Sequence, residues 1–300
     1  MEVKKHAWTS QHSMSNDTIK TFNMKQSLLT WIAVLFLQFS FAQSLEKLWE
    51  TDSVLKVPES VYFDEKNEKI YVSNIYGKGP WDKDGKGSIA LLTLNGKVLN
   101  PQWITGLHAP KGMALYKEFL MIADVDSIVI VDIFKGKVVK KVFVDGAQGL
   151  NDITTDKMGN IFVSDSKTKK IFYIGLFKGD VRVYTEGLAG PNGLYYSDHT
   201  LYLVDAGGFY RLGKNREKIL IADGMTADTD GIEQVDEKNF LVSCWSGIVW
   251  LVNVNGQKTK LLDTKSDGVN AADIGYDKKN KIVYVPTFWR NHVAAYQFKN

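Results

Sequence analysis

The chain has 300 residues, of which 44% are hydrophobic and 24% charged, and its formal net charge is +3. No block of Lys and Arg interleaved with aromatic residues occurs, so we expect no nucleic-acid partner. The single cysteine, Cys244, excludes a disulfide within the chain and a zinc site built from cysteines. Abundant glycine (25 residues) and aromatic and β-branched residues favour strands joined by turns.

The first 42 residues differ from the rest of the chain. Residues 1–23 are polar and patternless, and we interpret them as a leader or an early start codon. Residues 24–42 contain a lysine, an apolar run and small residues before a cleavage point between Ala42 and Gln43, which is typical of a signal peptide. The run is short for a membrane-spanning helix and is interrupted by Gln38. We therefore expect an exported protein, periplasmic or secreted, without stable membrane insertion after cleavage; the alternative is an uncleaved anchor.

Residues 43–300 repeat one unit six times. Each unit has a short strand, a polar turn and a second, apolar strand, and further strand-like sequence follows in the first five units. The head residues of the first strands are Glu59, Lys111, Asn151, Asn192, Asp230 and Ala272. They lie 52, 40, 41, 38 and 42 residues apart, and the longest interval contains a Gly-rich insertion, YGKGPWDKDGKG. A period near 40 with about four strands per unit is typical of propeller blades.

These units predict a single all-β domain, a six-bladed β-propeller. The last unit is about one strand long after its hairpin, and the segment SLEKLWETD at the start of the mature chain would supply the missing strand. Pairing of the two chain ends would close the ring and remove exposed strand edges. An open solenoid is the structural alternative, but it needs capping units, and the sequence shows none.

The head residues predict a metal site. The first strand of each blade lines the central axis of a propeller, so these side chains meet at one end of the channel. Burying two carboxylates near each other is costly unless a cation or protons compensate. Glu59, Asn151, Asn192 and Asp230 offer the carboxylate and amide oxygens that Ca²⁺ prefers. The alternative for each residue is a turn in which Asn or Asp caps its own backbone.

Lys111 occupies the head position of the second unit, and three interpretations of it stay open. It could bind substrate or carry a proton in catalysis. It could instead neutralise the two acids in place of a metal. It could also simply extend its ammonium group to solvent.

Four stretches carry a resemblance to a known family: PESVYFD, GLNDITTDKMGNIFVSD, GPNGLYYSDHTLYLVD and TDGIEQVDEKNFLVSCW. They resemble the SMP-30/gluconolactonase/LRE-like family of six-bladed propellers, and the resemblance covers residues 45–300. It implies a divalent metal held by Glu59, Asn151, Asn192 and Asp230, and hydrolysis of a lactone or a related ester. Ligands that are all oxygen favour Ca²⁺ or Mn²⁺ over Zn²⁺.

The resemblance also implies a mechanism, in which the metal activates a lactone carbonyl and water. The base would be Asp230, the family-like choice, or Asp152, which follows Asn151 in the chain. Sugar lactonases of this kind carry an Arg where this chain has Gly149, so the resemblance does not imply a sugar substrate.

Two aromatic residues that follow second strands, Trp245 and Phe288, are candidates for an apolar wall around a ring-shaped substrate, beside Lys111 and Asn151. Ordinary packing within the blades is the alternative. The Gly-rich insertion is a candidate lid over the channel opening. A second function stays open at this point: a non-catalytic exported propeller that binds a carbohydrate, peptide or protein, with a structural metal or none.

Overall fold

The computed structural model describes residues 43–77, 79–175 and 179–299. The leader and the signal peptide predicted for residues 1–42 lie outside the described residues. Within the described part of the chain, no helix has the length and apolar character needed to cross a bilayer.

The described residues form six antiparallel sheets of four strands each, and each sheet is one blade. Blade 1 consists of β2 (Pro58–Asp64), β3 (Lys69–Asn74), β4 (Gly87–Leu92) and β5 (Val98–Leu107). Blade 2 consists of β6 (Pro110–Tyr116), β7 (Phe119–Asp124), β8 (Ser127–Asp132) and β9 (Lys137–Phe143). Blade 3 consists of β10 (Leu150–Thr155), β11 (Ile161–Asp165), β12 (Lys170–Ile174) and β13 (Val181–Glu186).

The remaining blades follow the same order along the chain. Blade 4 consists of β14 (Pro191–Ser197), β15 (Thr200–Asp205), β16 (Gly208–Leu212) and β17 (Lys218–Ala222). Blade 5 consists of β18 (Thr229–Gln234), β19 (Asn239–Cys244), β20 (Ile248–Asn253) and β21 (Lys258–Asp263). Blade 6 consists of β22 (Gly275–Asp277), β23 (Ile282–Pro286), β24 (Val293–Lys299) and β1 (Ser44–Glu50). Two short 3₁₀ helices span Lys265–Asp267 and Phe288–Arg290.

Both ends of the chain close the ring, as the sequence predicts. Strand β1 pairs antiparallel with β24, with Leu45 opposite Phe298 and Trp49 opposite Ala295. The Trp49 ring also packs against Tyr284 of the same blade, with the ring centroids 5.9 Å apart. Blade 6 therefore reaches four strands by pairing the first described strand with the last one, so the outer edge of β24 is not left unpaired.

The blades are held together by apolar side chains between neighbouring sheets. Burial falls from the inner to the outer strand of a blade, so that β6 is largely buried and β9 is largely exposed. One core cluster joins blades 2 and 3 through residues such as Met121, Ile130, Ile161 and Phe172. Because each sheet buries both faces against its neighbours, its middle strands are apolar nearly throughout.

The inner strands converge closely because glycines follow several head residues. A Cβ on Gly193 would lie 2.2 Å from the carbonyl oxygen of Asp230, and a Cβ on Gly112 would lie 2.4 Å from Asp152 Oδ1. Neither position has room for a side chain. These glycines therefore allow adjacent inner strands to approach and bring the head residues together around the axis.

Candidate functional site

A cavity of about 260 Å³, which we call the upper cavity, lies where the inner strands begin. Its floor contains every polar head residue predicted from the repeat: Glu59, Lys111, Asn151, Asn192 and Asp230. Ala272, the sixth head, is fully buried in an apolar cluster. The structure thus brings together all four predicted metal ligands and Lys111.

The backbone turns these side chains toward the axis by the same device in five blades. The pairing of the first two strands shifts register next to the head residue, between Pro58 and Ser60 in blade 1 and between Thr229 and Ile232 in blade 5. Equivalent shifts occur in blades 2, 3 and 4. Such bulges break the regular alternation of a strand and redirect one side chain. The repeat in the sequence therefore becomes a ring of polar groups.

Glu59 and Lys111 form a buried ion pair across two blades. The Lys111 ammonium donates to Glu59 Oε1 over 3.3 Å, and the two side chains are only 3% and 5% exposed. Burial raises the pKa of Glu59 above its ordinary value, although the charge and hydrogen bond of Lys111 oppose this rise. The second oxygen, Glu59 Oε2, is buried with no hydrogen-bond partner.

Asp230 and Asn192 form the opposite part of the floor. The Asn192 side-chain amide donates to Asp230 Oδ1 over 2.9 Å, while Asn192 Oδ1 is buried without a partner. Burial raises the pKa of Asp230 well above its ordinary value, and the nearby charges of Glu59 and Asp273 add to the rise. An aspartate in this environment holds its negative charge at a cost that a cation would relieve.

A second layer of hydrogen bonds orients the remaining amide. Asn151 donates through Nδ2 to Ser166 Oγ over 3.0 Å, and Ser166 in turn donates to the Pro191 carbonyl over 2.7 Å. With its amide nitrogen bound to Ser166, Asn151 retains its carbonyl oxygen for the cavity. Fixed orientation by such partners is common around ligating side chains.

The side chains of the upper cavity fit a hard divalent cation. Its lining includes three buried side-chain oxygens that lack hydrogen-bond partners, namely Glu59 Oε2, Asn192 Oδ1 and Asp228 Oδ1. All three are acceptors, so the group they require is a cation or a hydrogen-bond donor. In the described ranges, no cluster of three or more His, Cys, Asp and Glu residues arranged for a metal is found. Two of the four predicted ligands, Asn151 and Asn192, are amides.

Aromatic residues form the upper wall of this cavity. Trp245 and Phe288, both predicted as substrate-binding residues, pack edge to face with ring centroids 5.4 Å apart, and Trp289 packs on Phe288 at 4.8 Å. The Gly-rich insertion contributes Trp81, whose ring centroid lies 4.5 Å from Lys111 Nζ. The insertion therefore contributes Gly77, Pro80 and Trp81 to the lining of this cavity, and its role as a lid stays a prediction.

Asp152, the other predicted base, lies elsewhere in the channel. It lines a second cavity of about 250 Å³, the lower cavity, together with Glu233 and Asp273. Both Asp152 oxygens accept backbone N–H groups, from Ile153 and from Leu194, each at 2.6 Å. The structure does not bring Asp152 into the upper cavity with Asp230, because these bonds tie it to the inner strands of blades 3 and 4.

The lower cavity concentrates acidic groups with perturbed protonation. Burial, followed by the charge of Glu59, raises the pKa of Asp273 to about 8, although Ser60 donates to Asp273 Oδ2 over 2.5 Å. Burial likewise raises the pKa of Glu233 and of Asp152 well above their ordinary values. Burial in the channel below the head residues therefore raises the pKa of three carboxyl groups.

Sequence reasoning did not single out several residues that line the upper cavity, among them Asp228, Trp81 and Trp289. Asp228 stands two residues before Asp230 but lies in the turn that precedes β18, so strand alternation gives no signal for it. The two tryptophans likewise have no periodic signal, since one lies in an irregular insertion and the other in a 3₁₀ helix.

Comparison with solved structures finds other propellers. A catalytically inactive virginiamycin B lyase from Staphylococcus aureus with quinupristin is 13% identical, with a TM-score of 0.60, and the match covers 85% of this chain and 99% of that chain. A streptogramin B lyase structure is 12% identical, with a TM-score of 0.61 over 86% and 97% of the two chains. A chain of a nidogen/laminin complex is 19% identical, with a TM-score of 0.61 over 73% and 84%.

These similarities show the fold alone, which is the six-bladed propeller predicted from the repeat. Neither family models nor curated proteins match the chain. The narrower resemblance to the SMP-30/gluconolactonase/LRE-like family thus stays an interpretation of the motifs.

Proposed function

We propose that this protein is a metal-dependent hydrolase that opens a lactone or a related ester in the upper cavity. The observation that carries the proposal is the pair of buried oxygens without partners, Glu59 Oε2 and Asn192 Oδ1, next to Asp230. Glu59, Asn151, Asn192 and Asp230 would hold the cation. Ca²⁺ is the ion that best suits four oxygens of this kind, with Mn²⁺ and Zn²⁺ as alternatives.

The charge balance of the floor favours a cation there. Glu59 and Asp230 each bring one negative charge when ionised, and Lys111 brings one positive charge. One negative charge therefore remains uncompensated in a group of buried side chains. A divalent cation would reverse that deficit and lower the pKa values that burial raises. Export of the protein, which the N-terminal segment predicts, would place the site in a calcium-containing compartment.

The chain's own residues would carry the proton transfers. When bound, the cation would supply Lewis-acid polarisation of the ester carbonyl. Asp230 would take a proton from the water that adds to the carbonyl carbon, since it is a buried carboxylate of the floor and lies beside the position proposed for the cation. When the acyl–oxygen bond breaks, the leaving alkoxide would take that proton back from Asp230.

Lys111 and the aromatic wall would complete the site. The Lys111 ammonium lies on the floor of the cavity and would stabilise the negative charge that develops on the carbonyl oxygen. Trp81, Trp245 and Phe288 would hold the apolar part of the substrate and exclude water, which strengthens the electrostatic interactions of the floor. Asp152 would act in maintaining the channel rather than in the reaction, because both of its oxygens are bonded to backbone.

A non-catalytic binding propeller is the second candidate. The observation in its favour is the Glu59–Lys111 ion pair, which already compensates one of the two acids without a metal. In that case the upper cavity would bind a carbohydrate, a peptide or a protein segment and would not turn it over.

Calorimetric titration of Ca²⁺ and Mn²⁺ into the purified protein tests the proposal. We expect 1:1 binding that is lost in Asp230→Asn and retained in Asp236→Asn, a control that changes an exposed turn carboxylate of the same blade. We also expect hydrolysis of simple lactones that requires the same cation. Absence of metal binding in the unmodified protein would overturn the metal-dependent reaction and favour the binding propeller.

A further inference from the structure

Buried carboxylates connect the first two strands in three of the blades. Asp124, Asp165 and Asp205 end β7, β11 and β15, and each accepts backbone N–H groups from the segment that precedes the inner strand of its own blade. Asp165, for example, accepts from Gln148 through Oδ2 at 2.7 Å and from Thr168 through Oδ1 at 2.8 Å. In all three residues both oxygens have partners within the protein.

Blade 5 departs from this arrangement. Cys244 occupies the end of β19, the position at which blades 2, 3 and 4 have Asp, and it is fully buried. The connecting carboxylate is on the opposite segment, where Asp228 Oδ2 accepts the Ser246 N–H over 2.6 Å. This exchange leaves Asp228 Oδ1 buried and without a hydrogen-bond partner in the wall of the upper cavity. The fold itself needs only one oxygen of this carboxylate.

The unsatisfied oxygen requires a hydrogen-bond donor from outside the described residues. A buried carboxylate oxygen without a partner is costly, and the lining of a cavity is a place where a bound molecule can supply the missing donor. Asp228 lies in the turn that precedes β18, whereas Asp230 lies within that strand, so different parts of the backbone hold the two carboxylates. Asp228 is therefore a contact for a bound molecule that is separate from Asp230.

The neighbourhood of Asp228 suits a compact ring with one polar substituent. The backbone carbonyl of Asp228 accepts the backbone N–H of Trp245 over 2.8 Å, so the segments that carry the carboxylate and the indole are bonded to each other. Trp245 and Phe288 offer apolar faces beside it, and the cavity volume of about 260 Å³ admits only a small ligand.

We propose that Asp228 is a specificity-determining residue, which accepts a hydrogen bond from a hydroxyl or ammonium substituent of a small cyclic ester bound in the upper cavity. The proposal rests on the hydrolase function given above, and it assigns the substrate class: a five- or six-membered lactone with a donor substituent. A carboxylate can only accept hydrogen bonds, so substrates without a donor would leave it unpaired and bind less well.

Three five-membered lactones test this assignment, because they differ only in the substituent next to the carbonyl: hydrogen, hydroxyl or ammonium. For the unmodified protein we expect kcat/KM to be about 10- to 100-fold higher for a donor-bearing lactone than for the unsubstituted one, as a hydrogen bond to a charged group implies. The hydroxyl and ammonium compounds distinguish the two donors from each other. The corresponding lactams, which resist hydrolysis, should bind with the same order of affinity.

The decisive variant is Asp228→Asn. Its side-chain oxygen can still accept the Ser246 N–H, so the local structure is kept, while its amide presents a donor to the cavity. We expect the preference for donor-bearing compounds to vanish or invert in both series, while Ca²⁺ affinity and the Asp236→Asn control stay unchanged. An unchanged preference in Asp228→Asn would overturn the proposal.

Three further outcomes separate the role of Asp228 from the hydrolase function and from metal binding. If all lactones are hydrolysed at similar rates by the unmodified protein, the hydrolase function stands and the role of Asp228 is refuted. If no lactone is hydrolysed but the lactams bind with the expected order, the catalytic function fails while Asp228 retains its role in recognition. Loss of Ca²⁺ binding in Asp228→Asn, without a change in preference, would make Asp228 a metal ligand and also refute the assignment.

Discussion

Replacement of Lys111, whose buried ammonium group faces Glu59, is the sharpest test of the electrostatics of the upper cavity. Lys111→Met keeps most of the apolar stem but removes the charge that faces Glu59 at 3.3 Å. In the presence of a chelator, Glu59 and Asp230 would then share the floor with no compensating cation. Removing one partner of a buried ion pair typically costs about 3–5 kcal/mol, because the remaining charge is left without a partner.

The structure sets an upper bound on this loss. The two side chains are 3% and 5% exposed, so solvent screens the pair very little. Glu59 can avoid this penalty by taking up a proton. Protonating a glutamate above its ordinary pKa of 4.5 costs about 1.4 kcal/mol per pH unit, and pH 7 lies about 2.5 pH units above that value. The loss from Glu59 is therefore limited to about 3.4 kcal/mol at pH 7, and to about 0.7 kcal/mol at pH 5.

Urea unfolding with a chelator, at pH 5 and at pH 7, measures both values. We expect Lys111→Met to lower the free energy of unfolding by about 3 kcal/mol at pH 7 and by less than about 1 kcal/mol at pH 5. The double variant Lys111→Met with Glu59→Gln should recover most of the loss, because no charge is left unpaired. Equal losses at the two pH values, or a double variant no more stable than the single one, would refute this account of the pair.

Three other perturbations have defined outcomes. Burial raises the pKa of Asp273 from 3.8 to about 8, so between these pH values only the folded state holds the proton. The free energy of unfolding in chelator should therefore fall by about 1.4 kcal/mol per pH unit as the pH rises through this range. Asp273→Asn should remove this contribution from a series of urea-unfolding measurements at different pH values. Trp81→Ala should raise KM for lactones by about tenfold and leave Ca²⁺ affinity in calorimetry unchanged, since Trp81 contacts Lys111 from the Gly-rich insertion and provides no ligand oxygen. Gly193→Ala should cost about 1–3 kcal/mol in thermal or urea unfolding and weaken Ca²⁺ binding, because its Cβ would lie 2.2 Å from the Asp230 carbonyl; an unchanged affinity would show that the inner strands tolerate a shift there.

The number of blades and the phase of the head residues follow from the sequence alone. Each blade is a local meander whose strands lie within about 40 residues, so its period is preserved in the chain as a repeat. Because equivalent positions in equivalent blades occupy equivalent places around the axis, Glu59, Asn151, Asn192 and Asp230 could be grouped before any coordinates were known. The short last unit similarly predicted that Ser44–Glu50 would complete blade 6.

Contacts between blades could not be obtained in this way. The repeat predicts that Glu59 and Lys111 lie around the same axis. Their ion pair, however, depends on which side chains meet once the six blades have closed into a ring. The resemblance implied Asp230 or Asp152 as the base, with Asp230 the family-like choice; only the structure shows that the N–H groups of Ile153 and Leu194 hold Asp152 in the lower cavity. Trp81 reaches the opening from an insertion that has no counterpart in the other units.

Protonation and hydrogen-bond satisfaction are likewise properties of the assembled channel. The raised pKa of Asp273 arises from burial by six converging strands and from the charge of Glu59, which is more than 200 residues away in the chain. The free oxygen of Asp228 is evident only when the connections of the other blades are compared with that of blade 5. The sequence by itself determined the fold and the ring of polar residues because both repeat locally. Tertiary structure alone decided which of these groups are paired, protonated or left unsatisfied, because burial and distance between blades exist only in the closed ring.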